Sequence, residues 1–461
     1  MSRLNVLLVS YIFPPIGGTG VMRASSLARY FPGENIRVDV LTARNAAAVG
    51  TDPTLLKEIP EDVTVHRTTT LDLPYSLKKG IKKLIAGGKS AAKGTATSSA
   101  ADPAKSNFIN RALAELLVPD PQVSWLPILT RAARRIIKQR EIDLVLITVP
   151  PFSAVLLVEK LRKQFSDLPI VIDFRDEWLV TAFDLVSFLF SRSERARRIA
   201  QDAEARAVKN ATAVVAVTEA ARRIIRARYP QEPEGKFQLV PNGFDATKLS
   251  RSTSAPEPRS DGKIIVTHVG TIYTSTEPAT LVEALESLPL ELRSRFKLRF
   301  IGHIEEPRFR EALLRLGDMV ELKGFMPQRE ALAAMNETDY VLLINHDPLN
   351  VGGKFYDYVG GGKPILGAVH AEGEARRLLD ELRAGWWADI HDVEGIRQLF
   401  VDAAARGNSL HTAFQPDLDK IAQYERKVLA QRYARLLHSI ARRPSESDSP
   451  VPAVGVSGEA R

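Results

Sequence analysis

The sequence predicts an α/β fold: two Rossmann-like doubly wound domains facing each other across a cleft. Three observations predict it. Short apolar runs alternate with helical patterns in both halves of the chain, as βαβ units require. A polar, proline-containing stretch, 246–262, divides the two series as a linker does. Glycine-rich turns follow the leading strand of each series, at Gly17-Gly18 and Gly270, where doubly wound sheets place their ligands.

In the first domain, residues 1–245, the expected strands are Val6–Val9, Arg37–Leu41, Val63–His66, Leu144–Thr148, Ile170–Asp173, Ala213–Val217 and Gln238–Val240. They are apolar throughout, as parallel strands buried on both faces are. Helical spacing fills the gaps, for example at Leu126–Arg140, Ala154–Gln164 and Arg192–Lys209. A Lys-rich insertion interrupts this domain at about 75–107. The second domain, 263–416, has expected strands Ile264–Val269, Lys297–Ile301, Val320–Lys323, Tyr340–Ile344 and Pro364–Ala368. Expected helices there are Ala279–Glu286, Arg308–Arg315, Arg329–Met335 and Lys354–Gly360. An amphipathic helix over 417–442 carries Ile421, Tyr424, Val428, Tyr433, Leu436, Leu437 and Ile440 near helical spacing, which suits packing across domains. A Pro/Ser/Gly-rich tail, 443–461, reads as disordered.

Composition removes several functions. The chain has no cysteine, so disulfides and thiolate metal sites are excluded. The eight histidines show no metal-ligand spacing. No apolar run approaches the roughly 20 residues that span a bilayer. A cytoplasmic protein is expected, with a possible peripheral contact to the inner face of an anionic membrane. Lys78–Lys93 carries six lysines, each worth roughly 1 kcal/mol near such a surface. The competing reading of this run is a solvated loop. Nucleic acid is not an expected partner, because no aromatics interleave the lysines.

Four constellations carry the chemistry. Tyr11-Ile-Phe-Pro-Pro-Ile-Gly-Gly-Thr-Gly-Val-Met-Arg23 links the first strand to the first helix. Gly17 and Gly18 let an anion approach backbone N–H groups, with Arg23 one turn on. The spacing fails the G-x-G-x-x-G fingerprint and lacks the Walker ending, so NAD and ATP in their usual modes are disfavoured. Asp173-Phe-Arg-Asp-Glu-Trp178 ends a buried strand. Asp173 and Asp176 are candidates to hold hydroxyls or act as base, and Arg175 to pair a phosphate or organise the acids. A self-neutralising ion-pair cluster is the alternative, and Trp178 reads as packing. Gly352-Gly-Lys-Phe-Tyr-Asp-Tyr-Val-Gly-Gly-Gly-Lys-Pro364 opens a short helix. Lys354 at its N-terminus suits a diphosphate, and Asp357 one turn on suits a ribose. Lys363 reads as a surface charge. Gly270-Thr271-Ile272-Tyr273 repeats the strand-to-glycine exit, a candidate phosphate or base contact, and His303 reads as structural.

These segments, with Thr218-Glu219 and Leu239-Val-Pro-Asn-Gly-Phe-Asp245, together resemble glycosyltransferase family 4, and within it the bacterial members that build cell-surface polysaccharides. The likeness covers about 1–70 and 110–440. It implies the GT-B fold, and a metal-independent transfer that retains anomeric configuration. It also implies a nucleotide-sugar donor held by the second domain, and a lipid-linked or saccharide acceptor held by the first. No cofactor is implied, the nucleotide-sugar being a co-substrate. Carried over, Gly17 and Gly18 lie near the donor phosphate, Lys354 contacts the diphosphate and Asp357 the ribose. On these grounds the donor-binding set is Gly17, Gly18, Arg23, Gly270, Thr271, Lys354 and Asp357, and the catalytic set is Asp173, Arg175 and Asp176. Three departures stand out. Leu349 occupies the place of the first glutamate in the family's E-x7-E, Gly270-Thr271 lacks the usual arginine and following lysine, and Thr148-Val-Pro-Pro-Phe152 lacks a histidine. They leave two alternatives open: a degenerate saccharide- or partner-binding protein, and a nucleotide-sugar epimerase on the same fold.

Overall fold

The computed structural model describes residues 3–46, 50–70, 118–180, 194–249, 262–407 and 410–441. The Lys-rich insertion, most of the 246–262 linker and the 443–461 tail lie outside the described residues. Among those described, the strands form two parallel sheets. The first has β1 (Leu4–Val9), β2 (Ile36–Ala43), β3 (Thr64–Thr68), β4 (Leu144–Val149), β5 (Ile170–Phe174), β6 (Ala213–Ala216) and β7 (Phe237–Leu239). Its spatial order is β3-β2-β1-β4-β5-β6-β7. The second has β8 (Ile264–Val269), β9 (Phe296–Ile301), β10 (Val320–Gly324), β11 (Tyr340–Asn345), β12 (Ile365–Val369) and β13 (Gly385–Asp389), in the order β10-β9-β8-β11-β12-β13. In both sheets the strand order reverses between the first and fourth strands, β1/β4 and β8/β11. The crevice beyond the carboxyl ends of β1/β4 and β8/β11 is therefore where a ligand belongs.

The strands form because their side chains are apolar and find cover on both faces. All six residues of β4 are buried, and helices shield them. The helix Leu126–Gln139 buries Leu129, Ala132, Ala133, Ile136 and Ile137, one stripe at 3.6-residue spacing. β13 has no counterpart among the sequence-predicted strands. Its segment, Gly385-Trp-Trp-Ala-Asp389, is half-buried at an edge of the sheet and lacks the long apolar run that marks an interior strand.

The C-terminal segment is not one helix. It forms Leu418–Ala422 and Arg426–Ala441, broken where the chain meets the crossover between the domains. The Phe244 N–H donates to the Tyr424 carbonyl (3.1 Å), and the Arg426 N–H donates to the Phe244 carbonyl (2.8 Å). These bonds take backbone groups that a continuous helix would use. The break resets the helical phase. The buried stripe becomes Leu429, Ala430, Tyr433, Ala434, Leu437 and Ile440, and Val428 and Leu436 fall to its flanks. This last helix returns to the first domain and packs with Leu4, Val6 and Phe31, with Tyr433 edge-on to Phe31.

Gly243 makes the close crossing possible. A Cβ there would lie 2.1 Å from the Tyr424 carbonyl oxygen and 2.6 Å from Leu429 Cδ1. Gly243→Ala is expected to destabilise by about 1–3 kcal/mol through overpacking, read as a lower urea midpoint at unchanged slope. A wild-type midpoint would show that the two crossings separate freely.

Candidate functional site

The helix Gly353–Gly361 begins in the crevice of the second domain, after β11. Its N-cap, Gly352, supplies no side-chain cap; the Phe355 N–H donates to the Gly352 carbonyl (3.1 Å), and the N–H groups of Gly353 and Lys354 remain open among the described residues. Lys354 lies in the first turn, half-buried, and Asp357 one turn later. They make no ion pair with each other, and neither has a hydrogen-bond or ion-pair partner among the described residues. Burial pushes the Lys354 ammonium down to about 8, against the opposing pull of Asp357. Burial pushes the Asp357 carboxyl up to about 6, against Arg426, Lys248 and Lys354. Two oppositely charged side chains are thus held half out of water without an ion pair between them.

Gly270 sets the place of Lys354. Its φ is +143°, and a Cβ there would fall 1.3 Å from Lys354 Nζ. The lysine therefore lies across the β8 exit, over a position only glycine can hold. Beneath it, His268 is buried. A carbonyl can only accept, so His268 Nδ1 donates to the Leu342 carbonyl (3.0 Å) and Nε2 carries no proton. Burial and the nearby Lys354 push this imidazole down to about 3, so it adds no competing charge. Thr271 is half-buried beside Gly270, and its carbonyl accepts from Thr276 Oγ1 (3.3 Å).

At the carboxyl ends of β9 and β10, His303 stacks on Phe325 with ring centroids 5.0 Å apart. Phe325 is 68% exposed, and the pair borders a cavity lined by Gly302, Ile304, Arg310 and Gly324. His303 is thus an exposed aromatic platform and not a core residue. Phe325 escaped the sequence reading. The available signal was a phenylalanine directly after the glycine that ends β10. Lys363 also departs from expectation. It is buried, and its ammonium donates to the carbonyls of Asn336 (3.0 Å) and Thr338 (3.1 Å).

The first domain redistributes its candidates. Asp173 is 0% exposed and is taken by Arg23, whose Nε and Nη2 reach both carboxylate oxygens at 2.7–3.1 Å. Arg23 also donates to the Val240 carbonyl (2.8 Å) and the Pro241 carbonyl (2.9 Å), and its guanidinium lies 5.6 Å from the Tyr433 ring centroid. This pair is an internal tie. Neither member has a face for a ligand, so the catalytic role expected of Asp173 and the donor contact expected of Arg23 have no geometric basis. Arg175 is likewise buried. It donates to the carbonyls of Val149 (3.2 Å), Pro150 (2.7 Å) and Gly20, fixing the β4 exit against the first helix. Gly17 is consumed as well, its N–H donating to the Gly50 carbonyl (3.1 Å). Trp178 packs, stacked on Phe152 at 4.6 Å.

Gly18 remains open, and Asp176 lies at the surface. Gly18 caps the helix Thr19–Tyr30 with φ +93°, is exposed, and has nothing within 4 Å of a Cβ position. Asp176 is exposed and faces Tyr273 of the second domain; burial first, and then the negative fields of Asp176, Asp347 and Glu305, push that phenol up. The domains meet beside it, where Thr218 Oγ1 donates to the Leu349 carbonyl (2.7 Å). The site therefore gathers Gly18 and Asp176 from one wall, and Gly270, Lys354, Asp357 and the His303–Phe325 stack from the other.

The fold has counterparts among known proteins. Residues 95–248 match the family model described as Glycosyltransferase Family 4. No curated protein matches the sequence. Among solved structures, Anabaena Alr3699/HepE in complex with UDP superposes with TM-score 0.62 at 15% identity, over 95% of this chain and 100% of that one. Sucrose-phosphate synthase tll1590 from Thermosynechococcus elongatus gives 0.61 at 15% identity, over 95% and 99%. A glycosyltransferase from Rickettsia africae gives 0.60 at 14%, over 96% and 100%. At such identities the likeness shows the fold.

Proposed function

We propose that this chain, which matches the Glycosyltransferase Family 4 model over residues 95–248 and has the GT-B fold, is a glycosyltransferase of that family and moves a sugar from a UDP-linked donor to a lipid-linked or saccharide acceptor in cell-surface polysaccharide synthesis, with retention of configuration. One observation carries the donor side: Lys354 and Asp357, unpartnered and half-buried at the open N-terminus of the helix Gly353–Gly361. An ammonium and free N–H groups suit a diphosphate, and a carboxylate one turn on suits the ribose hydroxyls. The choice of uridine is supported by Alr3699/HepE, which has been solved with UDP, with UDP and glucose, and with UDP-glucose. The His303–Phe325 stack offers the base a flat face.

In this reading the charge that develops on the leaving diphosphate falls on Lys354 and on the helix N-terminus. Both are fixed before the reaction and need no reorganisation as it proceeds. Gly18 meets the same phosphate from the opposite wall. Asp176 takes a hydroxyl of the sugar or the acceptor, Arg175 holds the loop beneath, and Thr271 borders the donor pocket.

The membrane side of the proposal rests on the Lys78–Lys93 run. No helix among the described residues is long and apolar enough to cross a membrane.

A thermal-shift series with UDP, GDP, ADP and dTDP tests the donor. UDP is expected to raise the melting point most. At a hundredfold excess over Kd, a ligand that binds only the folded state adds about 2.7 kcal/mol. A flat series would overturn the proposal, and a larger shift with another nucleotide would move it to that base.

A further inference from the structure

A second group of cationic side chains lies in the first domain, apart from Lys354. Arg44 follows β2 and Arg67 lies in β3. The strands are paired so that Thr42 faces Arg67 and Ala43 faces Thr68, and the Arg44 N–H donates to the Thr68 carbonyl (2.7 Å). The two arginines therefore leave adjacent strands at their carboxyl ends, the edge of the sheet that lines the crevice. Arg67 reaches the Pro14 carbonyl, in the loop that carries Gly17 and Gly18. Neither guanidinium has a carboxylate partner among the described residues. Other arginines of this domain do have such partners: Arg3 meets Asp62, Arg29 meets Asp245 and Arg140 meets Asp39. Burial first, and then the like charge of Arg44, push the Arg67 guanidinium below its ordinary value.

Two like charges at one strand edge, one of them half-buried, raise the cost of the folded state unless an anion offsets it. A guanidinium fork is shaped for the oxygens of a phosphate. Lysine-type surface attraction does not account for Arg67, whose fork turns inward onto the β1 loop.

We propose that Arg44 and Arg67 form an anion subsite on the acceptor wall, and that the acceptor is a phosphate ester or diphosphate. This inference rests on the proposed transfer reaction, with the donor on the opposite wall. The phosphate can belong to a free sugar phosphate or to a lipid-linked diphosphate. Both offer the same oxygens to the two forks, and the test separates them.

The full chain is titrated by calorimetry with glucose 6-phosphate and, separately, with farnesyl diphosphate, each with and without saturating UDP. At least one anion is expected to bind the UDP-loaded protein. Arg67→Gln and Arg44→Gln should each weaken that binding by roughly tenfold, the loss of one charge-assisted contact. The Kd for UDP should not change in either variant. Arg44 is exposed and its side chain has no partner among the described residues, so its variant tests the subsite even if Arg67→Gln fails to fold. Binding of glucose 6-phosphate alone identifies a soluble acceptor, and binding of farnesyl diphosphate alone a lipid-linked one. No binding of either, or binding undiminished in Arg44→Gln, overturns the subsite. Loss of UDP binding in the wild-type chain with retention of arginine-dependent anion binding would instead remove the donor assignment and leave the subsite standing.

Discussion

Asp173→Asn is expected to unfold the protein more readily by about 3–5 kcal/mol, the cost of leaving a buried arginine without its counter-charge. Arg23 is buried together with Asp173. Burial disfavours its charge, and the bidentate carboxylate more than offsets this. The amide of asparagine keeps the shape and one acceptor, but replaces the other oxygen with an NH2 that faces a guanidinium having only hydrogens to give. Urea unfolding at pH 7 measures the effect. The double substitution Arg23→Met with Asp173→Leu removes both charges and should recover part of the loss. Recovery stays partial because the carbonyls of Val240 and Pro241 lose the donor that serves them, at about 1–3 kcal/mol each if they stay dry. The fraction that remains folded should bind UDP as the wild type does. A wild-type urea midpoint together with lost turnover would return Asp173 to the chemistry.

The same pair marks how far the sequence could be read. Both sheets were legible, because a strand buried on two faces must be apolar along its whole length, as β4 is. Lys354 and Asp357 were legible for a local reason. Three residues apart on a helix, they share a face whatever the rest of the chain does. Asp173 and Arg23 are 150 residues apart, and their bond depends on how β5 and the first helix pack. Sequence alone presents Asp173 as an acid at a strand end, which is equally the pattern of a catalytic residue. The stack of His303 on Phe325, and the convergence of Arg44 with Arg67, join residues from separate strands in the same way. The break at 423–425 has a similar origin, since its partner is Phe244, in the crossover. What a sequence hides is pairing at long range, and in this fold such pairings remove Asp173 and Arg23 from the crevice and bring His303 and Phe325 to it.

Lys354→Ala should weaken UDP binding by tens of fold, about 2 kcal/mol for a charge-assisted contact, with little change in the urea midpoint, because the ammonium has no partner among the described residues to lose. Gly270→Ala should give a comparable loss by a different route. The new Cβ occupies the position of the ammonium, 1.3 Å from Nζ, and drives the lysine out of the crevice. Combined, the two substitutions should cost UDP affinity little more than either one, since the second acts on a group already gone. The pH dependence follows from the same two side chains. Lys354 is lowered to about 8, so its ammonium is present below that pH and is lost as pH rises through it. Asp357 is raised to about 6, so its carboxylate is present above that pH and is lost as pH falls through it. UDP affinity should therefore peak near neutrality. Uridine, which has no phosphate, separates the limbs: its binding should fall below about pH 6 with Asp357, and show no decline through pH 8. Asp357→Asn should remove the acid limb for uridine and leave the alkaline limb for UDP in place. Calorimetric titration from pH 5 to 9 reads all of this, and a UDP affinity that is level across pH 8, or unchanged in Lys354→Ala, would detach the diphosphate from this lysine.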